Sequence, residues 1–282
     1  MATDNIQFKP ISKVSGLYVV STPIGNLADI TIRALQVLGA ADVVYCEDTR
    51  QTKKLLLHYG IESWLEIYND HNAGKMRPKI LEALSQNKMV ALVTDAGTPL
   101  VSDPGYKLVR EVLDNGYKVI PVPGASAMLS ALVGAGLPSD QFHFAGFVDD
   151  KKFTELAQIS STLIFYESPK RVTDTLKSME KYFKGRTAVV ARELTKIYEE
   201  FKSGSFAELY EYYSKNEPRG EVVILLSPAE KVERSMEDIE GELKELLKEY
   251  KLKEASEIIA TKYGISKKAV YEHGVRIKNN QA

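Results

Sequence analysis

The segment from Met89 to Tyr106 constrains the fold more than any other part of this chain. It opens with a short apolar run, residues 89–94, which is typical of a strand buried on both faces. A loop rich in Gly, Pro, Thr, Ser and Asp follows, and these residues favour turns. Pro104 suits the first turn of a helix, with Asp103 placed to cap it. This order predicts a βα unit whose loop lies at the carboxyl edge of a parallel sheet, where such folds bind their ligands.

The first half of the chain repeats this alternation. Residues 1–15 are expected to form a loose arm. Beyond them, strands are predicted at residues 17–21, 43–46, 64–68, 89–94 and 118–122, with helices between them. Strands that alternate with helices indicate a largely parallel α/β sheet. Residues 16–122 are therefore interpreted as an N-terminal α/β domain.

The second half has a different texture. Residues 134–140, G-A-G-L-P-S-D, are predicted to be a hinge. Four strands are predicted at residues 142–147, 162–167, 187–193 and 222–226, with helices at 153–159, 169–183 and 206–213. Residues 123–228 are interpreted as a second, mixed α/β domain.

A polar linker at residues 228–235 is predicted to lead into a small helical C-terminal domain, residues 235–282. Its sequence has the spacing of a helix-turn-helix, with Gly264 expected to end one helix and Ser266 to cap the next. Acidic and basic residues balance within this domain, so the electrostatic signature of a DNA-reading unit is weak. A docking or dimer-stabilising role and a contact with nucleic acid both remain open.

Bulk charge does not select a partner, because 37 Lys and Arg residues face 38 Asp and Glu residues. A single cysteine, Cys46, excludes an internal disulfide framework and suits a reducing compartment. No apolar run is long enough to span a bilayer, and the polar N-terminus lacks a signal-peptide core. A cytoplasmic location without a membrane partner is expected.

The chain lacks the sequence motifs of several common enzyme classes. The chain has no phosphate-binding P-loop and no strand-led G-x-G-x-x-G motif. Four histidines and one cysteine are scattered without metal-ligand spacing, so no metal is expected. No serine has the surroundings of a nucleophile elbow. What remains is three small Gly/Pro-bearing loops, residues 22–26, 95–103 and 123–127, which suit a nucleoside with a small polar tail.

Six motifs in order carry a resemblance to a known family. They are L-Y-V-V-S-T-P-I-G-N-L-A-D-I-T-I-R-A-L, E-D-T-R, L-V-T-D-A-G-T-P-L-V-S-D-P-G-Y, V-P-G-A-S-A, L-I-F-Y-E-S-P-K-R and A-R-E-L-T-K-I-Y-E-E. Over residues 17–226 the chain resembles the ribosomal RNA small subunit methyltransferase I family, of the tetrapyrrole-methylase class. The resemblance implies two α/β domains with a cofactor cleft between them, plus a small C-terminal helical domain.

The resemblance also implies a function. It implies a homodimer that uses S-adenosylmethionine for 2′-O-methylation of a cytidine ribose in small-subunit (16S) ribosomal RNA, at the decoding region. The partner would be this RNA or the assembled small ribosomal subunit. One segment departs from the family: residues 148–152, V-D-D-K-K, are shorter and more acidic than the usual loop, so no substrate contact is assigned there.

The same resemblance implies a set of cofactor-binding residues. They are Pro23, Ile24, Gly25, Gly97, Thr98, Val101, Ser126, Ala127, Tyr166, Glu167 and Leu194. Ordinary core packing is an equally good explanation for Tyr166 and Leu194 on the sequence alone.

A ribose hydroxyl is a poor nucleophile at neutral pH, so a base or a polarising group is expected. The candidates are Asp48, Asp103 and Glu167, all predicted to face the cleft. Each acid has a structural alternative, as a helix cap or an ion-pair partner: Asp48 with Arg50, and Glu167 with Arg171.

RNA also requires cations that position its phosphates. The candidates are Arg50, Lys53, Lys54, Lys170 and Arg171, although a solvated helix face also explains such runs.

Two other functions compete. A methylase of the same fold could act on a tetrapyrrole or on a modified amino acid. A non-catalytic RNA-binding assembly protein could retain the cleft without turnover.

Overall fold

The structure, a computed structural model, describes residues 11–229, 236–263 and 265–279, with only the backbone described at 236–238 and 278–279. The chain divides into two units between Ala229 and Glu230, and each is described by itself. Of the predicted arm, residues 11–15 have no regular secondary structure, and the rest lies outside the described residues. Most of the predicted linker lies outside them as well.

The first sheet of the larger unit is wholly parallel. Its strands are β1 (Gly16–Val20), β2 (Val43–Cys46), β3 (Leu65–Ile67), β4 (Met89–Leu92) and β5 (Val119–Val122). Within the described part of the chain their order is β3-β2-β4-β1-β5. Every residue of β2 and β4 is buried, as expected for central strands covered on both faces. The predicted parallel α/β sheet is confirmed.

Helices cover the two faces of this sheet. They are α1 (Ile32–Ala40), α2 (Thr49–His58), α3 (Ala73–Ser85) and α4 (Tyr106–Asp114). Adjacent residues of β1 point to opposite faces: Leu17 packs with α3 and α4, whereas Tyr18 packs with α1 and α2. Two apolar layers therefore hold the sheet, and its carboxyl edge is left to the loops.

One predicted helix cap is wrong, and one alternative for a candidate acid is present. Helix α4 begins only at Tyr106, and the residue before it, Gly105, has a φ of 134°. Asp103 therefore does not cap this helix. Asp48 caps helix α2, because its carboxylate accepts a hydrogen bond of 2.8 Å from the Arg50 N–H.

The second sheet is mixed. Its strands are β6 (Phe142–Phe147), β7 (Thr162–Glu167), β8 (Ala188–Arg192), β9 (Glu200–Gly204) and β10 (Val222–Leu226). Among the described residues their order is β6-β7-β10-β8-β9, and only β6 and β7 pair in parallel. The accompanying helices are α5 (Ala127–Gly134), α6 (Phe153–Leu156), α7 (Val172–Tyr182) and α8 (Phe206–Lys215).

Two sequence expectations fail in this region. Strand β9 was not predicted, because E-F-K-S-G is a polar edge strand without a clear alternation. The chain crosses between the sheets ahead of the predicted hinge, since α5 already packs on the second sheet through Ala131 and Leu132. Gly134 ends this helix where a Cβ atom would lie 2.3 Å from the Phe201 ring, so the close approach requires glycine.

The smaller unit consists of helices in its described residues. They are α9 (Met236–Glu249), α10 (Leu252–Tyr263) and α11 (Lys267–Asn279). Ile239, Leu243, Ile259 and Val270 form its core. The predicted cap of α11 is present, since the Ala269 N–H donates to Ser266 Oγ over 3.4 Å. Gly264 lies outside the described residues.

Candidate functional site

Backbone and hydroxyl hydrogen bonds tie together the three loops at the carboxyl edge of the first sheet. Thr22 and Gly97 exchange two backbone hydrogen bonds of 2.8 and 3.0 Å. The Ser21 and Thr98 hydroxyl oxygens lie 2.9 Å apart, and Thr98 donates to the Ala125 carbonyl over 3.1 Å. The prediction that these loops meet at one sheet edge is confirmed.

The loop between β4 and α4 has an unusual backbone. Gly97 and Gly105 have positive φ angles of 81° and 134°, and the non-glycine residues Leu100 and Ser102 have φ angles of 74° and 63°. Each such non-glycine residue costs about 1–2 kcal/mol. Strain concentrated in one ligand-edge loop is typical of a functional site, because the rest of the fold must hold the loop in place.

A cavity of about 400 Å³ opens between this loop and the second sheet, and we call it the inter-sheet cavity. Its volume lies in the range of small-molecule sites. The first sheet and its loops contribute Ile24, Ala96, Gly97, Thr98, Val101, Ser102, Asp103, Ser126 and Ala127. The second sheet and its loops contribute Phe147, Tyr166, Glu167, Ser168, Pro169, Gly220, Glu221, Val222 and Val223.

Most of the predicted cofactor residues line this cavity. Those that do are Ile24, Gly97, Thr98, Val101, Ser126, Ala127, Tyr166 and Glu167. Pro23 and Gly25 instead line an adjoining outer cavity of about 580 Å³, which shares Ile24, Ala96 and Glu221 with the first. Leu194 lines neither of them. It is 6% exposed and packs in the apolar cluster that contains Ile24 and Val223, so it supports the wall from behind.

Tyr166 joins the two halves of the inter-sheet cavity. Its hydroxyl oxygen accepts a hydrogen bond of 3.2 Å from the Met128 N–H in the first turn of α5. Its ring makes edge-to-face contacts with Phe144 and Phe147, at centroid distances of 4.9 and 5.7 Å. Burial raises the pKa of Tyr166, so the hydroxyl is neutral at physiological pH. It therefore presents an aromatic surface to the cavity while fixing the start of α5.

Asp103 is the candidate base that is both half-buried and part of the cavity wall. Burial raises the pKa of its carboxyl, a hydrogen bond with Thr94 lowers it, and the nearby negative charge of Asp95 raises it again. Glu47 shares this environment, because Thr94 donates to Glu47 Oε1 over 2.9 Å. Burial also raises the pKa of Glu47, yet Glu47 lines neither cavity.

Glu167 is occupied by structural contacts. Its side chain is 1% exposed and accepts hydrogen bonds from the Ser168 N–H at 2.6 Å and the Thr175 hydroxyl at 2.5 Å. Arg171 Nε lies 3.6 Å from the same carboxylate. These contacts fix the turn that follows β7. The predicted alternative for Glu167, an ion pair with Arg171, is therefore present.

Asp48 likewise forms its predicted alternative contact. Its carboxylate caps α2 and binds the Arg50 guanidinium in a two-pronged pair, with a shortest distance of 2.6 Å. Arg50 lowers the pKa of Asp48 to about 2. Asp48 lines neither cavity, which corrects the expectation that it faces the cleft.

Lys196 is a site residue that the sequence interpretation did not single out. It lines the outer cavity and makes ion pairs with Glu193 at 2.9 Å and with Glu221 at 3.1 Å. A Cβ atom at Gly25 would lie 2.7 Å from the Lys196 side chain, so the T-P-I-G-N loop and this lysine fit closely. The motif A-R-E-L-T-K marked the segment, but which of its side chains reached a cavity depended on contacts distant in sequence.

The predicted RNA-binding cations lie around the cavities. Lys54 lines the outer cavity. Arg50 and Lys53 line a separate groove on the other side of α2. Lys170 and Arg171 are exposed directly after Pro169, which lines the inter-sheet cavity. The cations thus fall into two groups, one on α2 and one beside the turn after β7.

Among the described residues, no cluster of three or more His, Cys, Asp or Glu side chains is arranged to hold a metal ion. No helix in the same residues has the length and apolar character needed to cross a bilayer.

Comparison with known proteins gives consistent matches. Residues 16–210 match the family model of Tetrapyrrole (Corrin/Porphyrin) Methylases. The chain is 45% identical over 271 residues to a protein of Mesorhizobium japonicum named ribosomal RNA small subunit methyltransferase I, covering 93% of this chain and 92% of that protein. A protein of the same name from Neisseria meningitidis serogroup B is 43% identical over 99% of this chain and its own full length.

The fold also matches solved structures. The crystal structure of uroporphyrin-III C-methyltransferase from Thermus thermophilus, complexed with S-adenosylhomocysteine, aligns with a TM-score of 0.54 at 21% identity. The alignment covers 75% of this chain and 97% of that one. At this identity the similarity concerns the fold alone.

Proposed function

Because this chain belongs to the ribosomal RNA small subunit methyltransferase I family of tetrapyrrole methylases, we propose that it transfers a methyl group from S-adenosylmethionine to small-subunit ribosomal RNA. The proposed acceptor is the ribose 2′-oxygen of a cytidine in the decoding region. The observation that carries the proposal is the inter-sheet cavity, which gathers eight of the eleven residues expected to contact the cofactor.

The residues of this cavity fit such a cofactor. Gly97, Ser126 and Ala127 leave backbone and small side chains at the wall, where a nucleoside can approach closely. Ile24, Val101 and Tyr166 supply apolar and aromatic surface. Asp103, Glu167 and Glu221 add three carboxyl groups, which suit a ligand that carries positive charge. When bound there, S-adenosylmethionine supplies an electrophilic methyl group on a sulfonium.

We place the target nucleotide in the outer cavity, with its ribose at the border to the inter-sheet cavity, where the two share Ile24, Ala96 and Glu221. Lys54 and Lys196 line this second cavity beside the carboxylates of Asp95 and Glu221, and the two cations are the groups that can contact the phosphate of the target nucleotide. The T-P-I-G-N loop separates the two cavities and would align the acceptor oxygen with the methyl group. Alignment and exclusion of water are the main tasks in an in-line methyl transfer.

Asp103 is the acid we assign as general base. Glu167 uses its carboxylate for the turn after β7, and Asp48 is paired with Arg50 outside the cavities. Asp103 lines the cavity, and burial raises its pKa, which makes it a stronger base than an exposed carboxylate. In the proposed step the ribose oxygen forms a bond to the methyl carbon while the carbon–sulfur bond breaks. The hydroxyl proton passes to Asp103 and then to solvent.

Arg50, Lys53, Lys54, Lys170 and Arg171 are proposed to hold RNA phosphates around the cavities. We further propose that the protein acts as a homodimer in the cytoplasm, on ribosomal RNA or on the assembled small subunit.

The direct test is methyl incorporation from labelled S-adenosylmethionine by the purified protein. Undermethylated small subunits, free small-subunit RNA and a porphyrinoid precursor are offered separately. Incorporation into the subunit or its RNA is the expected result. Incorporation only into the porphyrinoid would favour a methylase that acts on a tetrapyrrole. RNA binding without turnover would favour a non-catalytic assembly protein.

A further inference from the structure

A groove on the outer side of α2 has the composition of a nucleotide site. It has a volume of about 690 Å³, and we call it the Trp64 groove. Its lining residues are Thr49, Arg50, Lys53, Leu56, Leu57, Ile61, Glu62, Ser63, Trp64 and Leu65. Aromatic, aliphatic and cationic side chains thus meet in one surface depression. The groove lies outside both the inter-sheet cavity and the outer cavity.

Trp64 is the single tryptophan of the chain, and 69% of it is exposed. Its indole N–H donates to Glu66 Oε1 over 3.0 Å, which restrains the ring just ahead of β3. Leu57, on α2, is 61% exposed in the same groove. A restrained, exposed indole beside an exposed aliphatic side chain is a surface on which a flat base can stack.

Positive charge lies beside this apolar surface. Arg50 uses Nε and Nη2 to bind Asp48, while its Nη1 makes no hydrogen bond to any described residue and its side chain is 86% exposed. Lys53 is exposed one helical turn further along α2. Arg50 and Lys53 share the groove lining with one carboxylate, Glu62, whereas Asp48 and Glu66, which bind Arg50 and Trp64, lie outside the lining.

Helix α2 connects the groove with the outer cavity. Gln51, Lys54 and Leu55 line the outer cavity, whereas Arg50, Lys53 and Leu57 line the Trp64 groove. The helix therefore forms a ridge with one depression on each side. A single RNA strand that enters the outer cavity can pass over this ridge and place a neighbouring nucleotide in the groove.

We propose that the Trp64 groove binds an unpaired RNA nucleotide that flanks the methylated one. The base stacks on the Trp64 indole, and its phosphate lies against Arg50 and Lys53. This inference rests on the proposed function for the identity of the RNA. Charge complementarity with a phosphate favours RNA over an apolar protein surface as the occupant.

The test uses Trp64 as its own reporter, since it is the one tryptophan of this chain. Protein-free single-stranded RNA of the decoding region is titrated against the full chain while its tryptophan emission is recorded, because the proteins of an assembled subunit would add emission of their own. Quenching that saturates with RNA is expected. Kinetics are measured in parallel on Trp64→Ala and Trp64→Phe. The control is Tyr210→Ala, which changes an exposed aromatic residue on α8 that lines neither the Trp64 groove nor either cavity.

Because Trp64→Ala removes the surface on which one base stacks, we expect it to raise the KM for subunits about 10-fold. The kcat and the Kd for S-adenosylmethionine stay unchanged, and Trp64→Phe recovers most of the affinity. Lys53→Ala is expected to lower the slope of log affinity against log salt by about 1. Tyr210→Ala behaves as wild type.

Three results overturn the inference. The first is emission that RNA does not change, and the second is a KM that Trp64→Ala leaves as it was. The third is dissociation of an oligomer by Trp64→Ala in light scattering, which would show that a protein covers the groove. Quenching by RNA without any methyl transfer would instead support the groove as an RNA site and contradict the proposed function.

Discussion

Replacing Asp103 by asparagine separates its chemistry from its contribution to the fold. Asparagine keeps the size of the side chain and its capacity to hydrogen-bond with Thr94, so the loop is retained. It cannot accept the ribose proton. General-base catalysis contributes about 100- to 10,000-fold in rate, which corresponds to about 2.7–5.4 kcal/mol of transition-state stabilisation. We expect kcat for subunit methylation to fall by that factor.

The raised pKa of Asp103 also fixes the sign of the stability change. Because the folded pKa lies above the unfolded value, protonation favours the folded state, and that contribution is present below the unfolded pKa and lost as pH rises through the folded one. At neutral pH the ionised Asp103 carboxylate therefore destabilises the folded state. The asparagine variant should be at least as stable as wild type in thermal unfolding while its activity is low.

The assay compares single-turnover methylation rates of wild type, Asp103→Asn and Glu47→Gln. Glu47 is the matched control, because it shares Thr94 and a burial-raised pKa but lines neither cavity. Its variant should keep kcat within about threefold. A wild-type rate in Asp103→Asn would refute the assignment of the base. A rate equally low in Glu47→Gln would show that the acid cluster acts through structure alone.

Three further predictions concern the scaffold and the outer cavity. Arg186→Ala should lower the free energy of unfolding by about 3 kcal/mol or more in urea titration, because the buried guanidinium donates to carbonyls of four residues that would lose their partner; an unchanged midpoint would contradict this. Gly25→Ala should displace Lys196 and raise the KM for subunits without changing the Kd for S-adenosylmethionine, as measured by calorimetry. Cys46 is buried, and burial raises its thiol pKa, so a thiol reagent should react with it far more slowly in the folded protein than in urea.

The sequence predicted the loops of the site better than the partners of its side chains. A buried strand, a Gly/Pro loop and a helix start are local patterns, and parallel strands bring their carboxyl ends to one edge. The three loops could therefore be placed together, and the structure joins them through the Thr22–Gly97 and Thr98–Ala125 hydrogen bonds. Strand β9 could not be predicted in this way, because its polar residues become a strand only through pairing with β8.

The roles of individual acids depend on contacts that the sequence does not display. Glu167 and Asp48 carry the same chemistry as Asp103, and all three follow strands or precede helices. Thr175 and Arg50 engage the first two, whereas Asp103 lines the cavity and forms no ion pair with any described residue. The family resemblance also has a limit. It placed Leu194 at the cofactor, whereas in the structure Leu194 packs behind the residues that line the inter-sheet cavity.

Ribose methylation of small-subunit ribosomal RNA by this chain, as proposed above, can be measured in cells. The RNA is mapped by mass spectrometry from cells that lack the gene and from the same cells supplied with wild-type protein or with Asp103→Asn. We expect one additional ribose methyl group, on a cytidine of the decoding region, with wild-type protein and its loss or strong reduction with the variant. Identical ribose methylation with and without wild-type protein would contradict it.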